Sequence, residues 1–206
     1  VKDPKQQAVL FDILTHDVDR MDRLITDISD SSRLDAELAR SHWEEMDLYA
    51  LAQDVVSLQH QMVESDVEII LEPAQFRKPG FYILGAELRL GQVLVNVITN
   101  AQTFSPPMGK IWVRLVRDRG DILLSVEDQG IGFPADKLNK VFDRFYTDRP
   151  EQDGFGKHSG LGLSISKQII TAHGGKIWAE NADQNGEISG GRVVIRLPEM
   201  PEDFQI

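Results

Sequence analysis

The chain has 206 residues, of which 41% are hydrophobic and 27% charged, and these proportions are ordinary for a globular domain. Its formal net charge is -11, which disfavours a nucleic-acid backbone or an anionic lipid surface as a partner. There is no cysteine, which excludes disulfides and thiolate metal sites, and no apolar run approaches the ~18 residues of a membrane helix.

The first part of the chain predicts one long helix within residues 1–41. Apolar side chains recur there alternately four and three residues apart, with charged residues between them: Leu14, Val18, Met21, Ile25 and Ile28. This narrow apolar seam is typical of a helical hairpin or coiled coil, and a lone helix cannot bury it. Because the sequence begins at Val1 rather than Met, we expect a piece of a longer protein, with the partner helix upstream or in another chain.

Residues 42–206 predict a second domain of mixed strands and helices. The predicted helices are Leu48–Met62, Ala86–Ser105 and Leu161–Ala172, with a short helical piece near Ala135–Val141. The predicted strands are Val67–Leu71, Gly80–Leu84, Lys110–Val116, Asp121–Glu127, Lys176–Glu180 and Arg192–Leu197. This order predicts an α/β (α+β) two-layer sandwich, in which three helices cover one face of a mixed sheet, preceded by the long N-terminal helix.

Two asparagines in the second of these helices are candidate metal ligands. Asn96 and Asn100 are four residues apart and therefore lie on one helical face. Amide oxygens are hard, neutral ligands that suit Mg²⁺. A merely polar helix face would carry the same pair.

Asp128, Gly130 and Gly132 directly follow a predicted strand. A carboxylate in this position can accept a hydrogen bond from an exocyclic amine, and the glycines allow the backbone to approach a flat ring. An ordinary turn has the same composition, so this motif alone is weak.

Two further motifs follow along the chain. The aromatic cluster from Phe142 to Tyr146 is either core packing or the hinge of a lid, and the spacing does not decide between them. The glycine-rich run from Gly156 to Leu163 leads into the third helix. Free N–H groups at a helix N-terminus attract phosphate, although structural glycines are also common there.

In this order, the four motifs resemble the N, G1, F and G2 boxes of the sensor histidine kinases of two-component systems. These kinases belong to the wider GHKL (Bergerat-fold) ATPase superfamily, which includes DNA gyrase B. The segments from Asp19 to Ile25, from Ser32 to Leu38, from Phe145 to Pro150 and from Ser159 to Ser166 further resemble the ChvG/ExoS group of sensor kinases. The resemblance covers nearly all of residues 8–198.

The resemblance implies ATP and Mg²⁺ as ligands, with Asn96 as a catalytic metal ligand and Asn100 on both metal and phosphates. It implies that Asp128 binds the adenine amine, that Phe104 packs on the ring, and that a lid spanning about residues 147–159 closes over the triphosphate. The full set of expected ATP-binding residues is Asn96, Asn100, Thr103, Phe104, Asp128, Gly130, Ile131, Gly132, Tyr146, Arg149, Lys157, His158, Ser159, Gly160, Leu161, Gly162 and Leu163.

One position departs from the family pattern, and another separates its branches. The family usually has a lysine or arginine where this chain has Thr103, and a hydroxyl cannot replace a cation beside phosphate unless Arg149 or Lys157 substitutes. Gyrase-like members have a glutamate where this chain has Asn96. An asparagine cannot act as a general base on water, which favours phosphoryl transfer to a protein over ATP hydrolysis.

The phosphate-accepting histidine is expected to lie outside this chain. His16 begins a similar motif but lacks its proline, so we interpret it as a helix-surface residue. The resemblance implies an ATP-dependent protein-histidine kinase for signal transduction and phosphorelay. It would act as a homodimer with its own dimerisation and phosphoacceptor domain and with a cognate response regulator, on the cytoplasmic side of an inner-membrane sensor. A non-catalytic nucleotide-sensing or dimerisation module is the alternative, motivated by Thr103.

Overall fold

The computed structural model describes residues 42–62, 66–72, 80–146, 160–184 and 187–201. The helix predicted within residues 1–41 lies outside these ranges, so the division into two domains stays a prediction. Within the described ranges, no helix combines the length and the apolar character needed to cross a membrane.

Three α-helices agree closely with the predicted ones. They are α1 (Leu48–Met62), α2 (Glu87–Phe104) and α3 (Gly162–Ala172), and a 3₁₀ turn, Lys140–Phe142, lies among the described residues between α2 and α3. The apolar side chains of α2 recur at helical spacing and are buried, and the helix ends where Ser105 turns to an extended conformation before Pro106. The short helical piece predicted near Ala135–Val141 is reduced to the 3₁₀ turn, since residues 135–139 form turns.

In the part of the chain that the structure describes, seven strands form two sheets. They are β1 (Glu44–Asp47), β2 (Glu68–Leu71), β3 (Tyr82–Gly85), β4 (Lys110–Asp118), β5 (Asp121–Glu127), β6 (Lys176–Gln184) and β7 (Glu187–Pro198). The larger sheet has the order β2-β4-β5-β7-β6, and β1 pairs with β3 in a separate two-stranded sheet. The larger sheet is mixed because β2 runs parallel to β4 while the other neighbours are antiparallel.

The core lies between the larger sheet and the helices. In β4, Ile111, Val113 and Leu115 are buried, whereas the alternate residues Trp112 and Arg114 are partly exposed. This alternation places one face of the sheet against the helices and the other toward water. The predicted two-layer α/β sandwich is confirmed.

One strand of the structure was not predicted from the sequence, and two others are longer than predicted. Strand β1 is short and mostly polar, with only Met46 buried, so it has no apolar periodicity to detect. The last two strands were predicted to stop at Glu180 and to start at Arg192, but they extend as a long hairpin to Gln184 and from Glu187. Cross-strand pairing holds these polar and glycine-rich residues in β conformation against their local propensity.

Candidate nucleotide-binding site

A cavity of about 100 Å³ lies beside α2 and the segment that follows β5. Apolar surface predominates, with a small number of polar groups, as is typical of a small-molecule site. The residues that line it are Asn100, Phe104, Asp128, Ile131, Gly132, Phe133, Pro134, Val141, Tyr146, Leu163 and Gly191. Seven of the predicted site residues are therefore brought together here: Asn100, Phe104, Asp128, Ile131, Gly132, Tyr146 and Leu163.

Asp128 is the one carboxylate among the described residues that line this cavity. It directly follows β5 and is buried, and its Oδ1 accepts hydrogen bonds from the N–H groups of Gly130 at 2.7 Å and Gly191 at 3.0 Å. Its Oδ2 receives no hydrogen bond from the described residues and is left to accept one from a ligand. Burial raises the pKa of Asp128 above its ordinary value, while the two N–H groups oppose that shift.

Glycines allow the backbone to close around this carboxylate. A Cβ on Gly130 would lie 2.4 Å from the main-chain oxygen of Phe104, and one on Gly190 would lie 1.7 Å from the main-chain oxygen of Asp128. A Cβ on Gly191 would lie 3.0 Å from Asp128 Oδ2. The strand β7 therefore approaches the carboxylate more closely than any residue with a side chain would permit.

The two predicted metal ligands occupy different surroundings. Asn100 lines the cavity, whereas Asn96, one turn earlier on α2, donates its amide N–H to the carbonyl of Gly162 at 3.1 Å and to Ser166 Oγ at 3.4 Å. Because a carbonyl only accepts hydrogen bonds, the amide nitrogen of Asn96 must face Gly162, and its amide oxygen accepts no hydrogen bond from the described residues. Asn96 thus lies at the junction between α2 and the start of α3.

The expected glycine-rich segment is described from Gly160 onward. The Gly160 carbonyl accepts a hydrogen bond from the N–H of Phe145 at 3.0 Å, and Gly160 has a φ of 71°. Leu161 is buried in the core and is not among the residues that line the cavity. The predicted phosphate contacts Arg149, Lys157, His158 and Ser159 lie outside the described residues.

Thr103 does not line the cavity. It is exposed, and its hydroxyl donates to the carbonyl of Thr99 within the same helix at 2.8 Å.

Sequence reasoning missed four residues that line the cavity: Phe133, Pro134, Val141 and Gly191. Phe133 and Pro134 follow Gly132 directly, and the conformation of the loop after β5 brings them to the cavity. Gly191 comes from β7, and its signal was the pair Gly190-Gly191 next to a strand, which indicates a close backbone approach.

The oxygen donors near α2 fit a magnesium ion that arrives with phosphate. Among the described residues, no group of three or more His, Cys, Asp or Glu side chains could hold a metal ion, so a carboxylate cage is not formed there. The amide oxygens of Asn96 and Asn100 are neutral ligands of the kind that Mg²⁺ accepts together with phosphate oxygens and water.

Comparison with known proteins decides the family. A sequence profile of the histidine kinase-, DNA gyrase B- and HSP90-like ATPase family matches residues 85–201. The chain belongs to this ATPase family. The matched range contains every residue that lines the cavity, and the family resemblance predicted from the motifs is confirmed.

Individual members of this ATPase family are similar over most of the chain. The sensor protein ChvG of Rhizobium meliloti (strain 1021) is 49% identical over 198 residues, which are 93% of this chain and 34% of the relative. The chain therefore spans about a third of the length of that relative.

Two solved structures share the fold. The mycobacterial sensor histidine kinase MprB matches with a TM-score of 0.65 and 31% identity, covering 78% of this chain and 99% of that one. Full-length ShkA in complex with AMPPNP matches with a TM-score of 0.71 and 25% identity, covering 94% of this chain and 39% of that one.

Proposed function

We propose that this chain is the ATP-binding catalytic part of a sensor protein-histidine kinase. The observation that carries the proposal is the environment of Asp128. Asp128 is a buried carboxylate with one oxygen that no described residue contacts by a hydrogen bond, beside glycines and an apolar cavity. That combination suits an adenine ring whose exocyclic amine donates to the carboxylate. Family membership and the similarity to ChvG support the same conclusion.

Each part of the cavity has a role in this proposal. Phe104 packs on the adenine, the backbone at Gly130 and Gly132 approaches the ring, and Asn100 contacts the phosphates. Ile131, Tyr146 and Leu163 contribute further walls of the cavity. The residues from Gly160 to Gly162 lead into α3 and offer N–H groups and the positive end of its helix dipole to phosphate.

Asn96 and Asn100 are the residues that would hold Mg²⁺. When bound, the ion supplies positive charge that offsets the phosphate oxygens during transfer. Asn96 is neutral and cannot take a proton from water, and the one carboxylate among the described cavity residues, Asp128, is assigned to the adenine. These residues therefore favour transfer to a protein nucleophile over hydrolysis.

The partners follow from the same proposal. The phosphoacceptor histidine lies in a dimerisation hairpin of which residues 1–41 are the second helix, the functional unit is a homodimer, and a response regulator receives the phosphoryl group. Residues 42–206 form the catalytic domain, which faces the cytoplasm in a membrane-bound parent.

Magnesium-dependent binding and phosphoryl transfer test this function. We expect calorimetry to show binding of AMPPNP to the whole chain, weakened when Mg²⁺ is removed by a chelator. With radiolabelled ATP, this chain alone should acquire no acid-labile phosphate, whereas a longer chain that includes the upstream acceptor histidine should acquire it. Asn96→Ala in the longer chain should abolish labelling.

Two results would count against the proposal. Absence of AMPPNP binding by the folded chain would remove the nucleotide site altogether. Binding without labelling of the longer chain would instead support the alternative, a non-catalytic nucleotide-sensing or dimerisation module.

A further inference from the structure

Asn181 forms a two-point contact with the backbone of Phe133, although the two residues are distant in the chain. The N–H of Phe133 donates to Asn181 Oδ1 at 2.6 Å, and Asn181 Nδ2 donates to the carbonyl of Phe133 at 2.8 Å. Because the backbone N–H only donates and the carbonyl only accepts, the pair fixes the orientation of the amide. The side chain thereby replaces the two hydrogen bonds that a neighbouring strand would make.

The segment that Asn181 holds is a wall of the nucleotide cavity. Ile131, Gly132 and Phe133 all line the cavity and lie between Asp128 and the 3₁₀ turn, in no regular secondary structure. Within the described residues, no backbone–backbone hydrogen bond joins residues 131–133 to the rest of the protein. The only hydrogen bonds that anchor this stretch there are those from Asn181.

The fit between the two segments is close. Gly132 has a φ of 72°, and a Cβ on it would lie 2.7 Å from Asn181 Oδ1. A Cβ on Gly191, on the strand paired with β6, would lie 2.9 Å from Phe133 Cε2. The β6–β7 hairpin therefore sets the position of the Phe133 ring, through Asn181 on one strand and Gly191 on the other.

We propose that Asn181 is a positioning residue for the nucleotide: it fixes the Phe133 wall of the cavity without contacting the ligand itself. The inference rests on the proposed function, because it takes the cavity to be the nucleotide site. Asn181 does not line the cavity, so its effect on affinity passes through the main chain of Phe133.

The substitution Asn181→Asp tests the two-point contact. One carboxylate oxygen still accepts from the N–H of Phe133, but the other faces the Phe133 carbonyl with no proton to share. We expect the affinity for Mg²⁺ and AMPPNP near pH 7 to fall about ten-fold, the scale of a lost buried hydrogen bond with an unpaired acceptor. The facing carbonyl disfavours the ionised form and raises the pKa of the introduced carboxyl above the ordinary value of about 3.9. As the pH is lowered to about 5, the protonated fraction donates to that carbonyl again, and the affinity of the variant relative to the wild type should recover.

Acidification also affects other groups, so the measurement is the ratio of variant to wild-type affinity at each pH. The charged groups nearby are the same in both proteins: Asp128 beside the cavity, and Glu180 and Asp183 on the strand that carries Asn181, with Glu180 paired to Arg192. These contributions are common to both proteins and leave the ratio unchanged. The recovery in the ratio therefore reports position 181.

Two further variants complete the experiment. Asn139→Asp makes the same charge change at an exposed position whose side chain caps no helix, and it should bind like the wild type at both pH values. Asn181→Ser removes both hydrogen bonds, and we expect a loss of about ten-fold that acid does not reverse. It also carries the test if Asn181→Asp fails to fold near pH 7.

The outcomes separate this inference from the proposed function. Wild-type affinity in both Asn181 variants, or a loss in Asn181→Asp that acid leaves unchanged, would overturn the positioning role while leaving the nucleotide site in place. Unfolding of both variants, detected by circular dichroism, would overturn it as well, since Asn181 would then be required for the fold. Failure of the wild type to bind AMPPNP would contradict the proposed function instead.

Discussion

In the free protein, the buried environment of Asp128 disfavours its ionised form. A bound ligand that donates a hydrogen bond to the carboxylate makes the ionised form favourable. The pKa of Asp128 is raised by burial, so ionising it costs stability: the stabilising contribution is present below the ordinary value of about 3.8 and is lost as pH rises through the raised value. A ligand amine that donates to Oδ2 offsets this cost. The carboxylate is thus suited to binding rather than to stability.

We predict that Asp128→Asn weakens ATP binding without destabilising the free chain. The amide oxygen still accepts from Gly130 and Gly191, but the amide nitrogen then presents a donor to the adenine amine. The loss should be about 1.5–3 kcal/mol of binding free energy, measured by calorimetry with AMPPNP. Thermal unfolding of the free variant should be equal to or higher than that of the wild type.

Asp118→Asn is the matched control, because Asp118 is exposed at the β4–β5 turn and far from the cavity in the fold. Asp118→Asn should change neither the affinity for AMPPNP nor the thermal unfolding of the free chain. Unchanged affinity in folded Asp128→Asn would contradict the adenine assignment.

A second prediction concerns Thr103, which stands where the family usually has a cation. We expect Thr103→Lys to change ATP affinity by less than about two-fold, because Arg149 or Lys157 already supplies the charge, and a single alanine at one of these two should cost about 1.5–3 kcal/mol. Isothermal titration of the three variants measures this. Gln102→Lys, at the residue before Thr103 on α2, controls for the added charge.

The opposite pattern would be equally informative. A ten-fold gain from Thr103→Lys, with no loss from Arg149→Ala or Lys157→Ala, would mean that the charge is simply missing. No effect in any of the three would favour the non-catalytic alternative.

At the scale of secondary-structure elements, the packing of the β6–β7 hairpin against the end of β5 requires small residues. Because a Cβ on Gly190 would lie 1.7 Å from the main-chain oxygen of Asp128, Gly190→Ala must displace either β7 or the end of β5. We predict a loss of about 3 kcal/mol or more in the free energy of unfolding, with nucleotide binding impaired in whatever folded protein remains. Urea denaturation gives the first quantity and calorimetry the second.

Gly120→Ala is the control for this prediction. Gly120 lies in the β4–β5 turn with a φ of 88°, and nothing lies within 4 Å of its would-be Cβ. Only backbone strain opposes that substitution, at about 1–2 kcal/mol, and nucleotide affinity should be preserved. Equal effects of the two substitutions would mean that β7 does not need its close approach to Asp128.

At the scale of the whole molecule, His173 connects the end of α3 with the start of α2. It is buried, its Nδ1–H donates to the carbonyl of Ile169 at 2.7 Å, and its Nε2 accepts from the N–H of Ala86 at 3.0 Å. Its ring stacks on Trp43 with a centroid separation of 4.4 Å. Burial lowers the pKa of His173 by disfavouring the charged ring, while the hydrogen bond to the Ile169 carbonyl opposes that shift.

We predict that this histidine makes the fold less stable in acid. A lowered pKa means that its contribution is present above the ordinary value of about 6.5 and is lost as pH falls toward the lowered value. Replacing it with glutamine should reduce stability near pH 7 and flatten the decline between about pH 6.5 and pH 5, as measured by urea denaturation at several pH values. His60→Gln, at an exposed position on α1, should leave that slope unchanged. A slope unaltered by His173→Gln would exclude His173 as its cause.

The sequence by itself determined the fold class, the three helices and most of the strands, because apolar periodicity and chain breakers such as Pro106 are local signals. It also determined Asp128, Asn96 and Asn100 as candidates, because a carboxylate followed by glycines and two amides four residues apart are visible along the chain. The family followed from the order of these motifs.

Only the tertiary structure decided which groups meet. Strand β1 has no periodicity of its own and exists because β3 pairs with it. Gly191 donates to Asp128, and Asn181 holds Phe133, across separations that no local pattern records. Such contacts are set by sheet order and by the close approach of two backbones, and these depend on how β5, β6 and β7 pack together rather than on the identity of neighbouring residues.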